Sequence, residues 1–199
     1  MSKDNLIHVL NKRLALYQAD GGLRTSTDSV LLAAACPAKT GESILDLGCG
    51  VGSAGLCALT RINNAALCGL DIQADHIDLA IQNAALNDMT DRAHFIPHDI
   101  REDAPIGTFD HVICNPPYKS SGAHIPSPSD KKARAMGHLE DDIDIQNWIT
   151  FAWAHIKGQG SLSIIHEAAQ TDAIIHALYS PRGGKRFGNI EIFPIFSKE

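Results

Sequence analysis

Apolar residues in this chain fall into short, nearly continuous blocks that alternate with longer segments of helical periodicity. The block Ser43-Ile-Leu-Asp-Leu-Gly48 is apolar apart from one acid and stops at glycine, as a strand buried on both faces of a parallel sheet does. Similar blocks at 67–71 (LCGLD), 93–97, 109–114 (FDHVIC), 161–165 and 190–196 predict further strands. Between them, 29–36 (SVLLAAAC) and 53–61 predict helices. Over 74–86, Ile77, Ala80, Ile81 and Ala84 share one helical face, and over 141–157, Ile145, Trp148, Ile149 and Ala152 recur at the same spacing. A further helix is predicted over 167–179. Strands separated by helices need crossover connections, so the expected fold is α/β, a doubly wound and mostly parallel sheet. No internal repeat interrupts the alternation. One stretch, 119–140, is rich enough in Ser, Pro, Gly and charge to read as a long loop; a loop of that length is usually functional or mobile, and this one is expected to be a substrate loop.

Length and composition narrow the picture. The 199 residues suit a single domain spanning 1–199, and 17 Lys and Arg against 23 Asp and Glu leave a formal charge of −6, which excludes a uniformly basic nucleic-acid coat. No apolar run approaches the roughly 20 residues of a membrane span. The start, MSKDNLIHVLNKR, lacks the apolar core and cleavage site of a secretory signal. A cytoplasmic protein with no membrane partner is expected, with a monomer favoured. The five cysteines (Cys36, Cys49, Cys57, Cys68, Cys114) are odd in number, show no C-x-x-C spacing and sit mostly in apolar stretches, as reduced buried thiols do. The histidines are scattered without ligand spacing, so no metal site is expected.

Candidate chemistry begins at Asp46-Leu-Gly-Cys-Gly-Val-Gly52, where a predicted strand meets a predicted helix. Glycine is needed at such a turn because a side chain would keep a ligand off the backbone and because the turn visits positive φ. By itself the pattern also fits a dinucleotide or a plain tight loop. Two details weigh against the dinucleotide: Ser53 stands where its third glycine would fall, and the carboxylate of Asp46 repels pyrophosphate but suits a cationic ligand such as an amino acid ammonium. Asp71 follows Gly50 by 21 residues, close to the offset of roughly 20 at which an acid meets a ribose in doubly wound nucleotide sites. Asp99, in HFIPHDI, is placed to accept from an adenine amine. Each acid alone could be a turn or cap residue, but three of them closing successive strands converge on the edge where such sheets bind ligands. The fourth strand closes with Asn115-Pro116-Pro117-Tyr118. The prolines fix the backbone, so the Asn115 side-chain oxygen and the Pro116 carbonyl are held as two acceptors beside an aromatic stacking face. That set suits a planar substrate carrying an NH2 group, with a plain proline turn as the alternative.

DLGCGVG, Asp71, Asp99 and NPPY, in this order, resemble the class I S-adenosylmethionine-dependent methyltransferases that act on amine nitrogens. GGLRTSTDSVLLAAA (21–35), QNAALND (82–88) and SPSDKKARAMGHLE are similar to the small-domain branch that includes bacterial tRNA-1(Val) adenine-N6 methyltransferases. The resemblance covers nearly the whole chain and implies a Rossmann-like class I methyltransferase sheet with S-adenosyl-L-methionine as cofactor. It implies that Asp46, Gly48 and Gly50 border the methionine part of the cofactor, Asp71 and Ile72 the ribose, and Asp99 and Ile100 the adenine. Residues 1–40 would form a cofactor-covering segment, with Arg24, Thr27 and Asp28 over the ligand and Arg24 near its carboxylate. Asn115, Pro116, Pro117 and Tyr118 would hold the target base. Two departures stand out. Lys119 follows NPPY where an aromatic or apolar residue is common. The chain stops at PIFSKE, so the final antiparallel strand of the fold is expected to be missing.

The implied reaction is methyl transfer to the exocyclic N6 of an adenine in tRNA, with position 37 beside the anticodon as the target. Charge by position accommodates an RNA partner. Residues 119–134, with Lys119, Lys131, Lys132 and Arg134, and residues 182–186, with Arg182, Lys185 and Arg186, each carry a net +3, which leaves −12 on the rest. The alternatives are solvated loops for the two clusters. For the chain as a whole they are a protein glutamine-N5 methyltransferase, whose amide NH2 satisfies the same acceptors, or a non-catalytic S-adenosylmethionine- or RNA-binding module.

Overall fold

A computed structural model describes residues 5–18, 25–117, 143–179 and 187–196. The order of elements is β1 (Leu6–Val9), β2 (Leu14–Tyr17), α1 (Thr27–Ala35), β3 (Ser43–Leu47), α2 (Ser53–Arg61), β4 (Ala66–Asp71), α3 (Ala74–Leu86), β5 (Ala93–Pro97), β6 (Phe109–Cys114), α4 (Ile145–His155), β7 (Ile156–Ile164), a 3-10 turn (Ala168–Gln170) and α5 (Thr171–Tyr179). The main sheet has the order β5-β4-β3-β6-β7, and every pairing in it is parallel. The chain leaves β3 toward one edge, returns, and leaves β6 toward the other. The carboxyl ends of β3 and β6 therefore flank the point where the strand order reverses, the position at which such sheets leave a crevice.

Alternation along the strands divides the core. Ile44, Leu67 and Ile113 face a cluster built with Leu32, Leu56, Leu59 and Ala80 of the helices on one side. Leu45, Leu47, Leu70, Val112 and Cys114 face the other side, where Trp148, Phe151 and Ala152 of α4 pack. Burying each such Leu or Ile contributes about 1.5–3 kcal/mol. The period of two puts Asp46 on the same face as Ile44, toward α2 rather than toward α4. Local signals set the helix starts. Ser26 caps α1 by accepting from the Asp28 N–H, and Asp144 opens α4 with a reciprocal box in which Asp144 and Asn147 each accept from the other's backbone.

The predicted elements recur with shifted ends. The helix expected over 29–36 runs 27–35, that over 141–157 runs 145–155 with 141 and 142 outside the described residues, and that over 167–179 becomes a 3-10 turn and a shorter helix. The strand expected over 161–165 begins at Ile156, because the chain leaves α4 directly into the sheet. Two expectations need correction. The N-terminal segment contains an antiparallel hairpin, β1 with β2, that its apolar pattern did not disclose. The strand expected over 190–196 is absent: that segment joins no ladder, and Phe193 and Phe196 are 73% and 85% exposed. A strand exists only through a partner's backbone, and among the described residues no strand pairs with this segment.

Candidate cofactor and base site at the carboxyl edge of the sheet

The loop leaving β3 is built from alternating left-handed glycines: Gly48, Gly50 and Gly52 have φ of 66°, 53° and 83°. The three do different work. A Cβ at Gly48 would lie 2.6 Å from the indole of Trp148, and one at Gly52 3.1 Å from the ring of Phe95, so these two are forced by packing as well as by φ. A Cβ at Gly50 would meet nothing within 4 Å, so this glycine faces open space at the edge of the sheet. Gly55 in α2 and Gly69 in β4 admit Leu67 and Phe95 beneath the loop.

Acid side chains hold the loop in shape. The Gly50 N–H donates to Asp71 Oδ2 at 2.8 Å, and the Gln73 N–H donates to Asp71 Oδ1 at 2.9 Å. The His98 N–H donates to the Asp71 carbonyl at 2.9 Å, which brings the segment after β5 to the same corner. Asp46 is 2% exposed, and its Oδ2 accepts from the Gly55 N–H at 2.9 Å, at the amino end of α2. Burial, reinforced by the nearby charge of Asp71, pushes its carboxyl up to about 7 despite that hydrogen bond. Asp46 thus serves the helix amino terminus beneath the loop rather than standing as an open charge. Asp99 lies two residues beyond β5 and is gripped by Arg101 through both carboxylate oxygens, with Nε at 2.9 and 3.0 Å, which holds its carboxyl below the usual range.

Register brings the second half of the site alongside. Leu47 and Cys114 are partners across β3 and β6, so Gly48 and Asn115, the next residues, leave the sheet side by side. Asn115 is half-buried, Pro116 buried and Pro117 exposed. On the opposite flank, Thr25 Oγ1 lies 2.6 Å from Ser53 Oγ, which fastens the segment leading into α1 to the first residue of α2. Thr27 and Asp28 follow in the first turn of α1. Gly48, Gly50, Asp71, Ile72, Asp99, Ile100, Asn115 and the start of α1 are thereby gathered at one edge. Arg24, Tyr118, Lys119, Lys131, Lys132, Arg134, Arg182, Lys185 and Arg186 lie outside the described residues. Among the described residues, no group of three or more His, Cys, Asp or Glu is arranged to hold a metal, and no helix is long and apolar enough to cross a membrane.

Two features went unread in the sequence. Ser53 signals only that a dinucleotide glycine is missing, whereas the structure gives its hydroxyl a partner in the N-terminal segment. Asn83, buried in α3, and Asn87, half-buried just past its end, both meet β2, and nothing in a helical period marks such an asparagine as a hydrogen-bonding hub.

The open glycine and the braced loop leave space for a ligand at this edge. One glycine opens to the edge, a carboxylate braces the loop, and Asn115 and Pro116 follow the neighbouring strand. Comparison with known proteins places it further. The chain is 34% identical over 154 residues to a tRNA1(Val) (adenine(37)-N6)-methyltransferase of Vibrio campbellii, covering 77% of this chain and 63% of that protein. It is 30% identical over 144 residues to the protein of the same name from Aliivibrio salmonicida, covering 72% and 60%. The chain therefore spans about three fifths of the length of these curated relatives. Among solved structures, its fold is similar to a predicted O-methyltransferase from Agrobacterium tumefaciens (TM-score 0.57, 24% identity, 75% of this chain and 66% of that one). It is also similar in fold to TrmN from Thermus thermophilus (TM-score 0.55, 18% identity, 75% and 40%). With the model of the methyltransferase small domain matching residues 24–174, on a sheet and glycine loop of this form, the chain belongs to that family.

Proposed function

We propose that this chain binds S-adenosylmethionine at the glycine loop and methylates the exocyclic N6 amine of an adenine in tRNA, with position 37 as the target. The observation that carries the reading is the register of β3 with β6, which sets Gly48 of the cofactor loop beside Asn115 of the acceptor motif. Asp46, Gly48 and Gly50 are assigned to the methionine part, with Gly50 open toward the ligand, Gly48 packed on Trp148 and Asp46 buried beneath the loop; Asp71 and Ile72 are assigned to the ribose, and Asp99 and Ile100 to the adenine. Thr27 and Asp28 cover the ligand, and Arg24 is assigned to its carboxylate.

When bound, the cofactor supplies an electrophilic sulfonium methyl. The chain's own part is to present a nucleophile. The Asn115 side-chain oxygen and the Pro116 carbonyl accept the two amine hydrogens, which draws the nitrogen lone pair out of conjugation and aims it along one line. Tyr118 stacks on the base to hold it in register. The new bond is N–CH3 and the bond broken is S–CH3. The nitrogen becomes cationic as it forms, and the same two oxygens stabilise that charge until one hydrogen leaves as a proton to water. No general base is needed. The base must leave its stack to be reached, which an anticodon loop makes inexpensive. Lys119, Lys131, Lys132, Arg134, Lys185 and Arg186 are assigned to the phosphate backbone.

The test is incubation with methyl-labelled S-adenosylmethionine and, in parallel, total tRNA, rRNA and a release factor, followed by nucleoside and amino acid analysis. Label in N6-methyladenosine of tRNA is expected, and Asn115→Ala should abolish it while retaining cofactor affinity. Label in a glutamine of the release factor, or no label at all, would overturn the assignment.

A further inference from the structure

We infer that Asn83 is a positioning residue for cofactor binding, coupling the N-terminal hairpin to the glycine loop through one buried amide. The inference rests on the cofactor reading above and deepens it. Asn83 is fully buried in α3, and every polar atom of its side chain is used. Its Oδ1 accepts from the Tyr17 N–H at 2.7 Å, and its Nδ2 donates to the Tyr17 carbonyl at 3.0 Å and to the Val51 carbonyl at 2.9 Å. One turn on, Asn87 repeats the first half of the pattern. Its Oδ1 accepts from the Ala15 N–H at 3.0 Å, and its Nδ2 donates to the Ala15 carbonyl at 2.7 Å and to the Asn83 carbonyl at 2.6 Å.

The free edge of β2 therefore pairs with two side-chain amides. Residues four apart on a helix and two apart on a strand have similar spacing along their axes, about 6 Å against about 6.7 Å, so Asn83 in α3 and Asn87, the residue that ends it, meet Tyr17 and Ala15 of β2. The two asparagines differ in one respect: only Asn83 also holds the glycine loop, at Val51, between the open Gly50 and the packed Gly52. The hairpin leads toward the segment that Thr25 fastens to Ser53. Asn83 thus ties the cover and the floor of the site to one group, and a ligand that orders the floor must also tighten the hairpin, by the reciprocity of linked equilibria.

The experiment uses the full chain with S-adenosylhomocysteine as probe. Affinity is measured by calorimetry, and backbone exchange of Ala15 and Tyr17 is followed with and without the probe. Saturating probe should slow exchange at both amides at least fivefold in the wild type. Asn83→Asp keeps the acceptor for Tyr17 but loses both donations and should weaken probe binding at least tenfold. Asn87→Ala should speed exchange at Ala15 yet leave affinity within about threefold. If Asn83→Asp does not fold, the wild-type exchange result decides alone. Probe binding by the wild type with exchange at Ala15 and Tyr17 unchanged, or equal affinity of a folded Asn83→Asp, overturns the coupling. Failure of the wild type to bind the probe overturns the cofactor reading, and the coupling falls with it.

Discussion

Asp46 carries the sharpest electrostatic consequence among single residues. Its carboxyl is raised from 3.8 to about 7 in the folded chain, so the folded state binds the proton more tightly than the unfolded state. The stabilisation is complete below the unfolded value and is lost as pH rises through about 7. At about 1.4 kcal/mol per pH unit the group accounts for on the order of 4 kcal/mol between those limits. Asp46→Asn keeps an acceptor for the Gly55 N–H and removes the titration, so urea unfolding at pH 5 and pH 8 should show a smaller loss in the variant. An identical loss would show that the group does not titrate there. The glycines separate in the same way. Gly48→Ala combines left-handed strain with a Cβ driven into Trp148 and should cost about 2–4 kcal/mol of stability in denaturant unfolding. Gly50→Ala meets no atom within 4 Å and should cost only about 1–2 kcal/mol, while its binding of S-adenosylhomocysteine falls disproportionately. These positions were legible in the sequence because glycine advertises backbone demands. The burial of Asp46 was not, because it depends on which face of β3 meets α2.

At the scale of elements, the strands and helices from 43 to 114 were legible almost to the residue, since β3, β4 and β6 end in continuous buried runs and α3 buries Ile77, Ala80 and Ala84 at helical spacing, while the edge strand β5 alternates buried Ala93 and Phe95 with exposed His94 and Ile96. Errors gathered where structure depends on a distant partner. The β1–β2 hairpin is short, and its outer edge is completed by side chains 66 and 72 residues away, which no local window contains. Residues 190–196 have the composition of a strand but no ladder to join. Where local chemistry suffices, a simple test follows. Asp144 and Asn147 close a capping box at the start of α4, the helix whose Trp148 walls the glycine loop. Asp144→Ala should lower the stability measured by chemical denaturation by about 1 kcal/mol, and Asp144→Ser should restore most of it. Equal stability of all three proteins would mean that the box does not hold this helix start.

For the whole molecule, the distribution of charge outweighs its total. In the sequence, 119–134 and 182–186 each carry a net +3 against −12 on the rest, and the proposed phosphate role of the first makes a salt-dependent prediction. Replacing Lys131, Lys132 and Arg134 with Gln should shallow the slope of log K against log salt for tRNA by about 2, given roughly 0.7 per phosphate contact on a single strand. An unchanged slope would remove these residues from the RNA interface. The acid-lined crevice and the apolar sheet beneath it also decide the fate of the thiols. Cys49, between Gly48 and Gly50, and Cys114, just before Asn115, are buried, unpaired and pushed far from ionisation by burial first and by Asp46. A thiol-modifying reagent can reach them only when the crevice floor parts from the sheet. The rate at which these two cysteines are alkylated is therefore an intrinsic clock of local opening at the site, and a ligand that seals the floor should slow it.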